Sequence, residues 1–242
     1  MKSQLKSIPK RIVILLSILT SLGACTGGSD ALVDKAKGLL KENKTQEALT
    51  FLNKAIEKDL NNATAFNTRG AAYLELKQYD NALLDFEQAI KLSPKNYQPF
   101  FNKATLKAEQ GRWDEALADI AQAARLQPDT AEIFLKMGMI HAASGQFEAA
   151  TKDFDQALKL QPNEKNALYN RGNVKFYQND FTGAIQDFEG AIRADSRFAK
   201  AFYGLGIAQQ KNKLAEAACL SLKQANRLGY PDAKEALKAY CE

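Results

Sequence analysis

Between Ala63 and Ser196 the apolar positions of the chain recur with two periods at once. Locally they fall three and four residues apart, the spacing that puts residues on one face of an α-helix. In Ala63–Leu76 that spacing joins Phe66, Gly70 and Tyr73, and in Tyr79–Leu92 it joins Ala82, Phe86, Ala89 and Ile90. The whole two-helix pattern then returns every 34 residues. Gly70, Ala104, Gly138 and Gly172 share one register position, and Tyr79, Trp113, Phe147 and Phe181 share another. Polar breaks at Lys77-Gln78, Gln110-Gly111 and Ser144-Gly145 separate the two helices of a unit, and glycine there can take the left-handed conformation that closes a helix. Pro94, Pro128 and Pro162, with Ser196 in the fourth copy, stop the second helix, because proline lacks the donor that another turn needs. A fixed period of this length predicts stacked helical hairpins, each burying its apolar faces against its neighbours.

The same register extends outwards into two weaker copies. The first, Ser29–Asn62, keeps Ala36, Ala48, Leu52 and Ala55, with Thr45 where the aromatic belongs and Leu60 where the proline belongs. The last, Ala199–Asp232, keeps Phe202, Gly206, Ala218, Leu222 and Ala225, with Ala215 at the aromatic position. Terminal units meet water on one side and need not keep the full pattern. Ala233, Ala236, Leu237 and Tyr240 predict a final helix that caps the array.

The recurring aromatic, glycine, tyrosine, alanine, aromatic, alanine and proline, present as Phe66, Gly70, Tyr73, Ala82, Phe86, Ala89 and Pro94, resemble the signature of the tetratricopeptide-repeat (TPR) family. The match repeats in register from residues 97, 131 and 165. Ala104 replaces the glycine, and Lys107, His141 and Lys175 replace the tyrosine. The resemblance implies an all-α fold, a right-handed superhelical solenoid of antiparallel helix pairs. The expected divisions are repeats at 30–62, 63–96, 97–130, 131–164, 165–198 and 199–231, the first and last degenerate, and a capping helix at 232–242.

Ahead of the repeats, residues 1–11 are polar and basic, and Ile12 to Leu22 form an apolar run broken by Ser17, Thr20 and Ser21. That run is short for a membrane span and suits a secretory signal. Its end, Leu22-Gly23-Ala24-Cys25, resembles the lipobox of bacterial lipoproteins, which implies cleavage after residue 24 and acylation of Cys25. An ordinary cleaved signal or an uncleaved anchor is the alternative. Several acyl chains on one cysteine give stable anchoring where one alone is marginal. Residues 25–29 are then expected as a flexible tether. The expected location is a bacterial cell envelope, with an outer membrane facing the periplasm favoured because Thr26 is not the aspartate of inner-membrane retention. Membrane and leaflet stay open.

The net charge of +5 changes meaning with this leader. Without Lys2, Lys6, Lys10 and Arg11, 29 Lys and Arg face 28 Asp and Glu, so a general nucleic-acid footprint is not supported. The many Asp and Glu residues at helical spacing are expected on solvated faces. Three cysteines without ligand spacing and one histidine, His141, make no metal set. His141, in the place of a tyrosine that packs between helices, is expected to be structural. No phosphate loop, nucleophile elbow or His-Glu-x-x-His occurs, so no enzyme activity and no cofactor are expected. Cys219 lies ten residues before Gly229 and Cys241 ten after Pro231, which brings them level across the last hairpin. In an oxidising compartment they are expected to form a disulfide that clamps the cap; two buried thiols are the alternative.

In the TPR family the first helix of each repeat lines a concave face. Carried onto this chain, the resemblance implies a groove that includes Phe101, Leu135, Met139, Tyr169, Asn173, Phe176, Tyr177, Tyr203 and Ile207. Aromatic and aliphatic residues with a polar rim suit a partner peptide or helix. The same residues would otherwise serve helix packing or lie under the cap. The set of lysine, asparagine and arginine that grips a terminal carboxylate in chaperone-binding members is missing. The expected function is a membrane-anchored protein-interaction scaffold of the envelope. Two alternatives stand beside it: an adaptor or regulator that recruits a cell-wall hydrolase or protease, and a self-assembling homo-oligomer.

Overall fold

A computed structural model describes residues 26–241, and Cys25 with the leader before it lies outside the described residues. Thirteen helices follow one another, with no strand among the described residues. They pair as α1 (Thr26–Lys41) with α2 (Thr45–Lys58), α3 (Ala63–Glu75) with α4 (Tyr79–Leu92), and α5 (Gln98–Glu109) with α6 (Trp113–Leu126). Then come α7 (Ala131–Ala143) with α8 (Phe147–Leu160), α9 (Lys165–Tyr177) with α10 (Phe181–Ala194), and α11 (Ala199–Lys211) with α12 (Ala215–Arg227). The last helix is α13 (Ala233–Cys241). Every helix packs on the next, and odd-numbered helices from α1 to α11 also touch the next odd-numbered one. The odd helices therefore form the tighter, inner wall of an all-α solenoid of antiparallel pairs.

The turn inside each pair has a common construction. Asn43, Lys77, Gly111, Gly145, Asn179 and Lys213, spaced 34 residues apart, all have φ between 57° and 78°. At Lys77 the turn closes with Lys77 N–H on Leu74 O and Gln78 N–H on Tyr73 O, which satisfies carbonyls left free at the end of α3. Glycine is thus a convenience at this position, present in two turns of six.

Two small-residue stripes let the helices approach. Ala82, Ala116, Ala150 and Ala184 are fully buried, as are Ala89, Ala123, Ala157 and Ala191. Between them lie Leu52, Phe86, Ile120, Phe154, Phe188 and Leu222, the large side chains of the core. Each phenylalanine reaches the glycine of its own repeat. A Cβ on Gly70, Gly138 or Gly172 would come within 2.7–2.9 Å of the ring of Phe86, Phe154 or Phe188. Where the core residue is Ile120 the glycine position holds Ala104.

Two expectations are corrected. Of the segment expected as a flexible tether, the described part, Thr26 to Ser29, is the first turn of α1. Ser29 is fully buried, its hydroxyl donating to Ala55 O and accepting from Asn62 Nδ2, so the helix is fastened to its neighbours from the start. The acids expected on solvated faces include Asp85, Asp119, Asp153 and Asp187, which are buried. They occupy one register position on the second helix, and the first helix supplies each with a partner. Arg69 donates twice to Asp85 at 2.8 Å, and Arg171 donates twice to Asp187 at 2.9 and 2.6 Å. Lys103 and Lys107 converge on Asp119. In the next repeat Met137 stands where arginine or lysine would be, and His141 alone meets Asp153. The last repeat replaces the pair with a neutral one, Ser221 Oγ donating to Gln209 Oε1. A buried ion pair offsets its desolvation only when well bonded, so removing one partner of the ladder costs more than the pair itself contributes.

At the C-terminus, Cys219 and Cys241 are disulfide-bonded, with sulfurs 2.07 Å apart and Cα atoms 5.7 Å apart. The bond joins α12 to α13, whose Ala233 and Ala236 are buried.

Candidate interaction groove

Nine groove residues were expected on the inner wall, and all nine lie on α5, α7, α9 or α11. They differ in how much surface they leave free. Tyr177 is 70% exposed and Met139 is 42% exposed, against the usual burial of large apolar side chains. Tyr177 is held by a parallel stack on Phe147, centroids 6.0 Å apart, and by an edge contact with Phe176. The ring is therefore fixed while one face is left to solvent.

The others are half-buried and shared with the core. Leu135 packs on the cluster around Phe154 and Val174. Tyr169 leans on Phe188 and meets Phe198 edge-on, at 5.7 and 5.6 Å between centroids. Phe176 meets Phe181 at 5.4 Å. Phe101 packs within the cluster around Ile120, and Asn173 and Ile207 are half-buried. Tyr203 stacks on Tyr230 at 4.6 Å, so the turn before α13 folds against the end of the groove. Burial pushes the pKa of both phenols up.

Four further residues contribute to the groove, of which Phe198 and Tyr230 were not expected there. The Lys136 ammonium lies 5.7 Å from the Phe101 ring centre, and the Lys200 ammonium lies 4.6 Å from Tyr169 and 4.9 Å from Phe198. Burial pulls the Lys136 pKa down, partly offset by Glu132 and Glu109. Phe198 and Tyr230 extend the aromatic surface. A signal for Phe198 was present. Corresponding positions hold Asn62, Asn96, Thr130 and Glu164, residues suited to a helix start, so a phenylalanine there has another use. The groove brings together aromatic faces, amides and two lysines, a set able to bind and without an arrangement for bond-making.

Family models for the tetratricopeptide repeat match residues 63–96, 101–165 and 135–174, and a TPR repeat model matches 172–213. The chain belongs to the tetratricopeptide-repeat family. TPR arrays serve as protein-interaction scaffolds, and the matched models describe repeats, with no catalytic domain among them. No curated protein sequence matches the chain. Among solved structures, this TPR protein is similar to PilW, a widely conserved type IV pilus biogenesis factor, at 21% identity and a TM-score of 0.79, covering 86% of this chain and 98% of that one. It is similar to PilF of Pseudomonas aeruginosa at 19% identity and a TM-score of 0.77, covering 88% and 97%. It is also similar to YrrB, a TPR protein with an unusual peptide-binding site, at 20% identity and a TM-score of 0.61, covering 77% and 97%.

Proposed function

We propose that this TPR protein is a membrane-anchored interaction scaffold of a bacterial envelope that holds a peptide or helix of a partner protein against its inner wall. The observation that carries the reading is Tyr177, a large aromatic ring fixed by Phe147 and Phe176 yet 70% exposed on that wall. A rigid, amphipathic ring offers contact area at little entropic cost, which is why tyrosine is favoured in binding sites. The likeness in fold to PilW, a type IV pilus biogenesis factor, over 86% of this chain supports a role in assembling an envelope machine. The anchor is Cys25, directly before α1, so the array would stand close to the bilayer.

In-cell crosslinking from a photoreactive residue at Tyr177 tests the groove. The expected result is one partner protein, captured more strongly than from Leu84, which is 65% exposed on an even-numbered helix. Equal or weaker capture from Tyr177, or capture of a second copy of this chain alone, overturns it. The anchor is tested by labelling cells with a clickable fatty acid; Cys25→Ala is expected to abolish incorporation, and unchanged labelling overturns that part.

A further inference from the structure

The inner wall changes charge along its length. In its first half the lining positions include Glu75, Glu109 and Glu132. Helices α9 and α11, which form the second half, are 13 residues each and contain neither aspartate nor glutamate. They do contain bases, and three of these are engaged elsewhere: Arg171 and Lys175 with Asp187, and Lys165 with Asp195. Lys200 and Lys211, at lining positions of α11, form no ion pair among the described residues. Lys200 rests against the rings of Tyr169 and Phe198, and cation–π attraction positions an ammonium without neutralising it.

We propose that the α9–α11 half of the groove takes an acidic segment of a partner protein, with side-chain carboxylates meeting Lys200 and Lys211 and an apolar side chain seated on Phe176, Tyr177 and Ile207. The inference rests on the groove being a protein-binding surface. Helices α9 and α11 bring two ammonium groups without an ion-pair partner among the described residues and no carboxylate of their own, while Asp232 and Glu235 come near Tyr203 from the cap, so the Lys200 and Lys211 positions disfavour basic segments and select acidic ones. Asn173, whose side chain has no hydrogen-bond partner among the described residues, can pair with the segment's backbone. Single-stranded nucleic acid would need a row of cations tracking its phosphates, which two lysines do not make.

Random short peptides displayed on phage, selected against the detergent-solubilised full chain, test this. Selected peptides are expected to combine Asp or Glu with Leu or Phe. Their binding is expected to fall roughly tenfold or more in Lys200→Glu/Lys211→Glu, and clearly when salt rises from about 0.05 to about 0.5 M. Lys200→Gln/Lys211→Gln, a milder change, is expected to keep the wild-type helicity and still weaken binding. Basic or uncharged peptides that bind and are lost in Tyr177→Ala would overturn the charge proposal and leave the groove reading intact. The absence of any peptide sensitive to Tyr177→Ala overturns both. Binding of an oligothymidine that displaces the peptides overturns the proposal in favour of nucleic acid.

Discussion

His141 Nδ1 lies 2.6 Å from Asp153 Oδ2, in the place where the two neighbouring repeats set a lysine against the equivalent buried aspartate. The fourth repeat therefore has the one Asp–base pair of the ladder whose partner is an imidazole. Burial holds the Asp153 carboxyl above its ordinary range, with the bond to His141 opposing that shift. A raised carboxyl pKa means that the folded state keeps the proton more tightly than the unfolded one. The resulting stability is full below the unfolded pKa and is lost as pH rises through the folded one. Asp153→Asn removes this dependence. Its melting temperature relative to wild type is expected to move in the variant's favour as pH rises above the ordinary carboxylate pKa of about 4, which a pH series of thermal melts reads directly.

Asp187 accepts two hydrogen bonds from Arg171 and also meets Lys175. Arg171→Met leaves a buried carboxylate with Lys175 alone and is expected to destabilise the chain by about 3 kcal/mol. Arg171→Met/Lys175→Met/Asp187→Leu removes all three charges and is expected to recover most of that loss in urea titrations. An equally unstable triple variant would mean that the cluster contributes net stability.

The glycine and aromatic of a repeat are one packing decision. Gly138→Ala places a methyl 2.7 Å from Phe154 Cε1 and is expected to destabilise by about 1–3 kcal/mol. Gly138→Ala/Phe154→Ile rebuilds the pair that Ala104 and Ile120 already make, and is expected to be more stable than Gly138→Ala alone. Thermal melts of the three proteins decide it.

The disulfide closes a loop with a sequence separation of 22 residues around the final hairpin. Cys219→Ser/Cys241→Ser is expected to reduce the stability of the cap by about 3 kcal/mol, mainly through the freed unfolded chain. Hydrogen exchange should show α13 opening first while α3 to α10 keep their protection, since each repeat leans only on its neighbours.

The groove shows where reading the sequence ran out. The TPR resemblance assigned its nine residues to the first helix of a repeat, and they lie on odd-numbered helices. Their separation into exposed Tyr177 and half-buried Tyr169 was not legible, since that depends on Phe147, Phe188 and Phe198 from other helices. The buried aspartates were misjudged for a related reason. An aspartate on an amphipathic helix looks solvated until a base from the facing helix is seen beside it, and Arg69 and Asp85 are 16 residues apart in the chain.

The sequence by itself determined the helices, their turns and their stacking order. Periodicity, small residues and helix stops act locally, and a repeat array has only neighbours to pack against. The tertiary structure alone decided that Ser29 is fastened into the first helix pair, that His141 faces Asp153, and that Tyr203 lies under Tyr230. Each of these depends on where one helix face meets another. A side chain's exposure and charge state follow from that meeting, and no pattern along a single helix contains it.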